Sequence, residues 1–147
     1  MSTRGIGFTF GSSGNITNNT VSDSNEGILL ENTRDFFIDN NIIYNNSAGM
    51  RMRNATGTSI RNNNISNISG IGISFTPITA LTNRTSFNYT LSGNYFCGIG
   101  GIAFSATDYV LSQTLDGIVS ANTFCNSTDS VLSGGIATAD REERGYH

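Results

Sequence analysis

Residues 38–46 read Ile-Asp-Asn-Asn-Ile-Ile-Tyr-Asn-Asn, four asparagines set around Ile42, Ile43 and Tyr44. Asparagine is a poor former of both strands and helices. The stretch makes sense as one copy of a repeat. Its core, apolar-x-x-Asn-x-apolar, spans Ile38 to Ile43, and the same pattern runs from Ile16 to Val21, Ile60 to Ile65, Leu91 to Phe96 and Val119 to Phe124. The asparagines in register are Asn19, Asn41, Asn63, Asn94 and Asn122, spaced by 22, 22, 31 and 28 residues.

A second pattern, Gly-apolar-x-apolar, falls between these copies. It opens at Gly5, Gly27, Gly49, Gly70 and Gly101, and Gly135-Ile136 begins a sixth, incomplete copy. Both patterns alternate with period two, as strands do, and no window of helical length carries an apolar stripe. One such unit cannot bury its apolar face, whereas a stack of units can. The leucine-rich consensus that shares this period is missing. The fold class is therefore all-β: a β-solenoid of about six short coils, forming one domain over 1–147. The longer copies place loop insertions near 76–90 and 105–117, and the charged stretch 139–147 reads as a tail.

Composition narrows the function classes. The formal net charge is -3 and only 13% of residues are charged. All basic residues are arginines, scattered among acids, so the cluster that nucleic acid requires is missing. Hydrophobic residues make up 37%, including nine phenylalanines, enough for a core. No run is long and apolar enough to span a membrane, and no apolar leader segment follows Arg4. Glycan-acceptor patterns, Asn-x-Ser/Thr, begin at Asn15, Asn18, Asn45, Asn54, Asn64, Asn67, Asn83, Asn88 and Asn126. Their density points to an extracellular or cell-surface setting.

The repeated units resemble the right-handed parallel β-helix repeats of the pectin-lyase-like superfamily, closest to the NosD-type and carbohydrate-binding repeats of archaeal and bacterial surface proteins. The resemblance covers roughly residues 5 to 138 and implies a right-handed parallel β-helix. It does not select a function, because that fold carries lyases, hydrolases, epimerases, adhesins and structural proteins. It implies an internal asparagine ladder, matched here by Asn19, Asn41, Asn63, Asn94 and Asn122. Each is expected at a tight turn, where asparagine tolerates left-handed backbone angles, with its amide bonded along the stack.

Enzymes of that superfamily use clustered carboxylates. Here Asp39 aligns with Arg61, and Glu31 with Arg53, one coil apart, which predicts outward ion pairs. Asp108 and Asp116 fall in a long insertion and are the carboxylates left over. His147 is the single histidine and ends the chain. No His, Cys or Met cluster has ligand spacing, so no catalytic residue, metal site or cofactor is assigned. Cys97 and Cys125 follow equivalent phenylalanines on adjacent coils, within the Cα separation a disulfide permits. The spacing predicts a bridge, with two reduced thiols side by side as the alternative.

A solenoid with open ends invites another chain. The expectation is a structural extracellular protein that self-assembles into a layer, sheath or fibre as a homo-oligomer or polymer. The alternative is a polysaccharide-binding or lyase- or epimerase-like module, with Tyr44, Tyr89, Tyr95 and Tyr109 available to stack on sugar in a groove lined by acids and arginine. A viral fibre segment is a third option.

Overall fold

A computed structural model describes residues 3–76, 86–106 and 114–133, with the backbone alone described at 86–87, 106, 114–116 and 126–133. The strands are β1 (Arg4–Thr17), β2 (Thr20–Ser22), β3 (Glu26–Asp39), β4 (Ile42–Asn46), β5 (Ala48–Arg53), β6 (Thr58–Arg61), β7 (Asn64–Ile68), β8 (Ile73–Thr76), β9 (Ser86–Ser92), β10 (Tyr95–Ala106), β11 (Thr114–Ser120) and β12 (Thr123–Ser133). There is no helix among the described residues, and every strand pairing is parallel.

The pairings sort into three faces. The first joins the starts of β1 and β3 to β5, β8 and the ends of β10 and β12. The second joins the ends of β1 and β3 to β6, β9 and β11. The third joins β2, β4, β7 and the starts of β10 and β12. The long strands bend at corners and so serve two faces each. The chain visits the faces in constant order, which makes it a parallel β-helix.

Stacking follows from register. Ile6, Ile28, Met50, Ile73, Phe104 and Val131 share one position, so the winding passes it six times. Ile16, Ile38, Ile60, Leu91 and Val119 form a second row, and Val21, Ile43, Ile65, Phe96 and Phe124 a third. Alternate residues point inward, and these two rows are buried throughout. The Phe96 and Phe124 rings stack at 4.9 Å, as neighbours on successive coils should.

Register corrects the expected fourth and fifth copies. Met50 pairs with Ile73 and Met52 with Phe75, so the glycine of the row is Gly72, not Gly70. Phe104 pairs with Ile73, so the fifth copy is built on Ala103 rather than Gly101. The sixth station is Val131, while Gly135-Ile136 lies outside the described residues. A two-residue slip keeps every side chain on the same face, so the stretch Ser-Gly-Ile-Gly-Ile-Ser-Phe satisfies the pattern twice. A bulge in β10 between Ile99 and Ile102 absorbs the extra residue. β9 and β11 also begin inside the two stretches expected to be loops.

The glycine row has a packing cause. A Cβ on Gly27 would sit 2.5 Å from the Gly49 carbonyl oxygen and 2.8 Å from Ile43 Cγ2. On the second face Gly14, Phe36, Thr58, Tyr89 and Gly117 share a row in which small and large residues alternate. A Cβ on Gly14 would fall on the Phe36 ring, and one on Gly117 on the Tyr89 ring. Each aromatic ring occupies the space its glycine neighbour leaves, which is how a core reaches native packing density.

Candidate functional site: ladder, corners and the first coil

Four amide-to-amide bonds run along the axis. Asn19 Nδ2 donates to Asn41 Oδ1 at 3.1 Å, Asn41 to Asn63 at 2.9 Å, Asn63 to Asn94 at 3.0 Å and Asn94 to Asn122 at 3.0 Å. The backbone N–H of each donor residue bonds to the same Oδ1. From Asn41 onward Nδ2 also reaches back to a carbonyl of the preceding coil, as from Asn41 to Ile16 at 2.8 Å. Asn41, Asn63, Asn94 and Asn122 are buried; Asn19, on the first coil, is half-buried. A buried amide is tolerated when its groups are bonded in this way.

The left-handed angle belongs to the residue before each ladder asparagine. Asn18, Asn40, Asn62, Gly93 and Ala121 have φ of 60°, 56°, 55°, 67° and 55°. The left-handed residue turns the chain, and the turn lets the next asparagine point inward. Three further corners repeat the device with Phe10, Asn32 and Asn54, with Ser13, Asp35 and Gly57, and with Asp23, Asn45, Asn67 and Gly98. The sequence reading also missed a second buried amide, Asn46, whose Oδ1 accepts the Ser24 N–H at 2.7 Å. Its signal was the asparagine pair Asn45-Asn46, read only as a glycan acceptor.

The outward charges assort differently from expectation. Arg53 meets Glu31 at 3.5 Å. Asp39 and Arg61 are register neighbours without an ion pair. Asp39 instead accepts from Asn40 Nδ2 at 3.0 Å and Asn62 Nδ2 at 3.1 Å, while the Arg61 guanidinium lies 5.6 Å from the Phe37 ring centre. Glu26 gathers its register partner Arg4 and also Arg51 at 3.3 Å, and Arg53 at 3.8 Å; the one-coil alignment contains the Arg4 pair, which the sequence reading missed, but not Arg51 and Arg53, which approach diagonally.

Of the glycan acceptors, Asn15, Asn18, Asn45, Asn64, Asn67 and Asn88 are exposed. Asn54 is corrected: it is 1% exposed and its Nδ2 donates to Asn32 Oδ1 at 2.6 Å, so the folded chain offers it to no glycan. Asn83 lies outside the described residues, and only the backbone of Asn126 is described.

Tyr89 is also corrected as a sugar-stacking residue, because it is buried and stacks on Phe75 at 4.5 Å. Tyr95 is exposed and Tyr44 half-buried, while Tyr109 and Asp108 lie outside the described residues. Asp116 stands on β11 opposite Asn88. A groove of about 330 Å³ beside Gly57 is lined, among the described side chains, by Arg61, Asn88 and Tyr89 and by no acid. Another, of about 440 Å³, runs along Asn45, Asn67 and their serine neighbours, also without an acid. Among the described residues no three His, Cys, Asp or Glu side chains gather in a metal-binding group.

Cys97 and Cys125 are disulfide-bonded across adjacent coils, with Cα atoms 4.6 Å apart and a sequence separation of 28. The bond ties β12 to β10 in the register their backbones already hold. Closing a loop of that length removes enough unfolded-state entropy to contribute about 3.5 kcal/mol. Cys97→Ala/Cys125→Ala is therefore expected to unfold at lower urea, with a slope somewhat steeper because the uncrosslinked unfolded chain is more expanded; a midpoint equal to that of the parent chain refutes this.

At the first coil, β1 pairs only with β3 among the described residues and leaves a 14-residue edge. Phe8 and Phe10 on it are exposed.

The winding, the amide ladder and the stacked apolar rows together define a β-solenoid repeat protein. The family model described as a right-handed beta helix region matches residues 1–114, and the chain belongs to that family. No curated protein and no solved structure matches the chain.

Proposed function

We propose that this chain is a structural β-solenoid of an extracellular or cell-surface setting that self-assembles into a fibre, sheath or layer. The observation that carries the proposal is the outer edge of β1, a 14-residue strand that among the described residues pairs on one side only, with β3, and carries exposed aromatic side chains. Such an edge is a template for another strand. The disulfide supports an oxidising compartment, and the exposed acceptor asparagines fit the same setting. A polysaccharide-processing site calls for acids in a groove, and among the described side chains the two grooves above contribute none.

Electron microscopy and sedimentation of the purified, oxidised chain test the proposal. Particles that grow with concentration are expected. A strictly monomeric chain at high concentration overturns it.

A further inference from the structure

We infer that the third face is a lateral contact between copies of this chain, which meet on it across a two-fold axis through Asn64; this rests on the self-assembly reading above and uses a different surface from the β1 edge.

The outward side chains of that face form two rows. Thr20, Ile42, Asn64, Tyr95 and Thr123 share one register position, and Ser22, Tyr44, Ser66, Cys97 and Cys125 share the other. None of them is charged. Among the described side chains, Glu26, Glu31, Arg51 and Arg53 stand on the first face, and Asp39 and Arg61 on the second. Ile42 is 47% and Tyr95 41% exposed, and Thr20, Asn64 and Thr123 are exposed with them, so the first row stands open. The Tyr95 hydroxyl lies 3.4 Å from Cys125 Sγ, which holds the ring towards the second row. Absence of charge around a held aromatic side chain is the composition of the core of a protein contact.

The order along the first row selects a second copy as the occupant. From Asn64 outward it runs apolar and then threonine in both directions. A two-fold axis along β7 lays each row over itself and reverses the order of the coils. Ile42 then faces the partner's Tyr95, Tyr44 faces the partner's Cys97, and the two Asn64 amides meet as donor and acceptor. A face without charge also sets no like charges against its own copy.

Size decides what the contact can do. The five strands of the face, about 4.8 Å apart, with about four residues of each at 3.3 Å, make roughly 300 Å² of flat area. A lasting contact takes about 800 Å² from each partner. The face therefore joins chains already held in a row, where the small contact repeats, and does not hold two lone chains. Asn64 also opens an acceptor pattern, so a glycan there and this contact exclude one another.

Electron microscopy of assemblies grown from chain without a glycan at Asn64 tests the inference. Fibres two chains wide are expected. Ile42→Lys or Tyr95→Glu alone is expected to cut the paired fibres roughly tenfold, with the melting temperature unchanged because both sites are on the surface. An equal mixture of the two variants is expected to restore pairing, because the two-fold sets lysine against glutamate. If either variant fails to fold, Asn64→Asp decides: an exposed, nearly isosteric change that places two carboxylates opposite each other and is expected to leave single fibres at neutral pH.

Fibres of unchanged width in the variants overturn this contact and leave self-assembly standing, as does an unmodified chain that assembles only into single fibres. An Ile42→Lys chain that loses only its retention on an insoluble β-glucan assigns the face to a sugar and overturns the contact. A mixture that stays unpaired removes the two-fold and the inference with it. A monomer at every concentration removes both readings.

Discussion

Asn63→Ala is expected to lower the free energy of unfolding by about 5 kcal/mol. Asn63 accepts the backbone N–H and Nδ2 of Asn41, each at 2.9 Å, and donates to Ile38, Arg61 and Asn94. Alanine strands two donors of Asn41 and the Ile38 carbonyl in a site that is 1% exposed. Each orphaned buried group costs about 1–3 kcal/mol, and the whole domain is expected to hold only about 5–15 kcal/mol. Asn19→Ala provides the control. Asn19 is half-buried and donates only to Thr17 and Asn41, so water replaces much of what is lost, at a cost of about 1 kcal/mol. Urea unfolding of the two variants measures the difference; equal midpoints show that ladder position is irrelevant and sink the argument.

Gly27→Val is expected to cost about 4 kcal/mol, for steric reasons rather than through lost bonds. Its first side-chain carbon already collides with the Gly49 carbonyl oxygen and Ile43, and both belong to stacked coils that cannot retreat singly. Valine adds two methyl groups to that collision. The outcome is read as loss of the cooperative thermal transition, or as a large fall in its midpoint. Gly7→Val meets only the flexible Arg4 side chain, 3.6 Å from the added carbon, and is expected to be nearly neutral. A Gly27→Val chain as stable as Gly7→Val contradicts the packing account.

The architecture was legible because both repeat patterns have period two, and because a 22-residue step recurs before the insertions begin. Ile38 and Ile43 could be placed inside from the pattern alone, whereas an internal ladder through Asn41 followed only from the family resemblance. The turn residue could not be placed, because asparagine fills two adjacent jobs at 18–19, 40–41 and 62–63. The pairs Gly93-Asn94 and Ala121-Asn122 separate those jobs, since glycine takes the left-handed angle and only asparagine enters the ladder. The fourth register was hidden by a slip that preserves facing. The Arg4–Glu26 pair keeps the 22-residue step and was legible, whereas Arg51 and Arg53 reach Glu26 diagonally and were hidden. Burial of Asn54 depends on the corner it shares with Asn32, which no acceptor motif encodes.

The insertions have a thermodynamic meaning. Coils of 22 residues become spans of 31 and 28 at Asn63–Asn94 and Asn94–Asn122, yet the ladder continues with bonds of 3.0 Å. Closing a longer loop costs only a logarithm of its length. Going from 22 to 31 residues adds about 0.3 kcal/mol, less than one surface ion pair typically returns. All but one residue of each extra length enters at the corner between the first and second faces, after Thr76 and after Ala106. At that corner coil length is nearly free to vary, so the winding can display segments of different size on neighbouring turns while the bonds that count the turns keep their spacing.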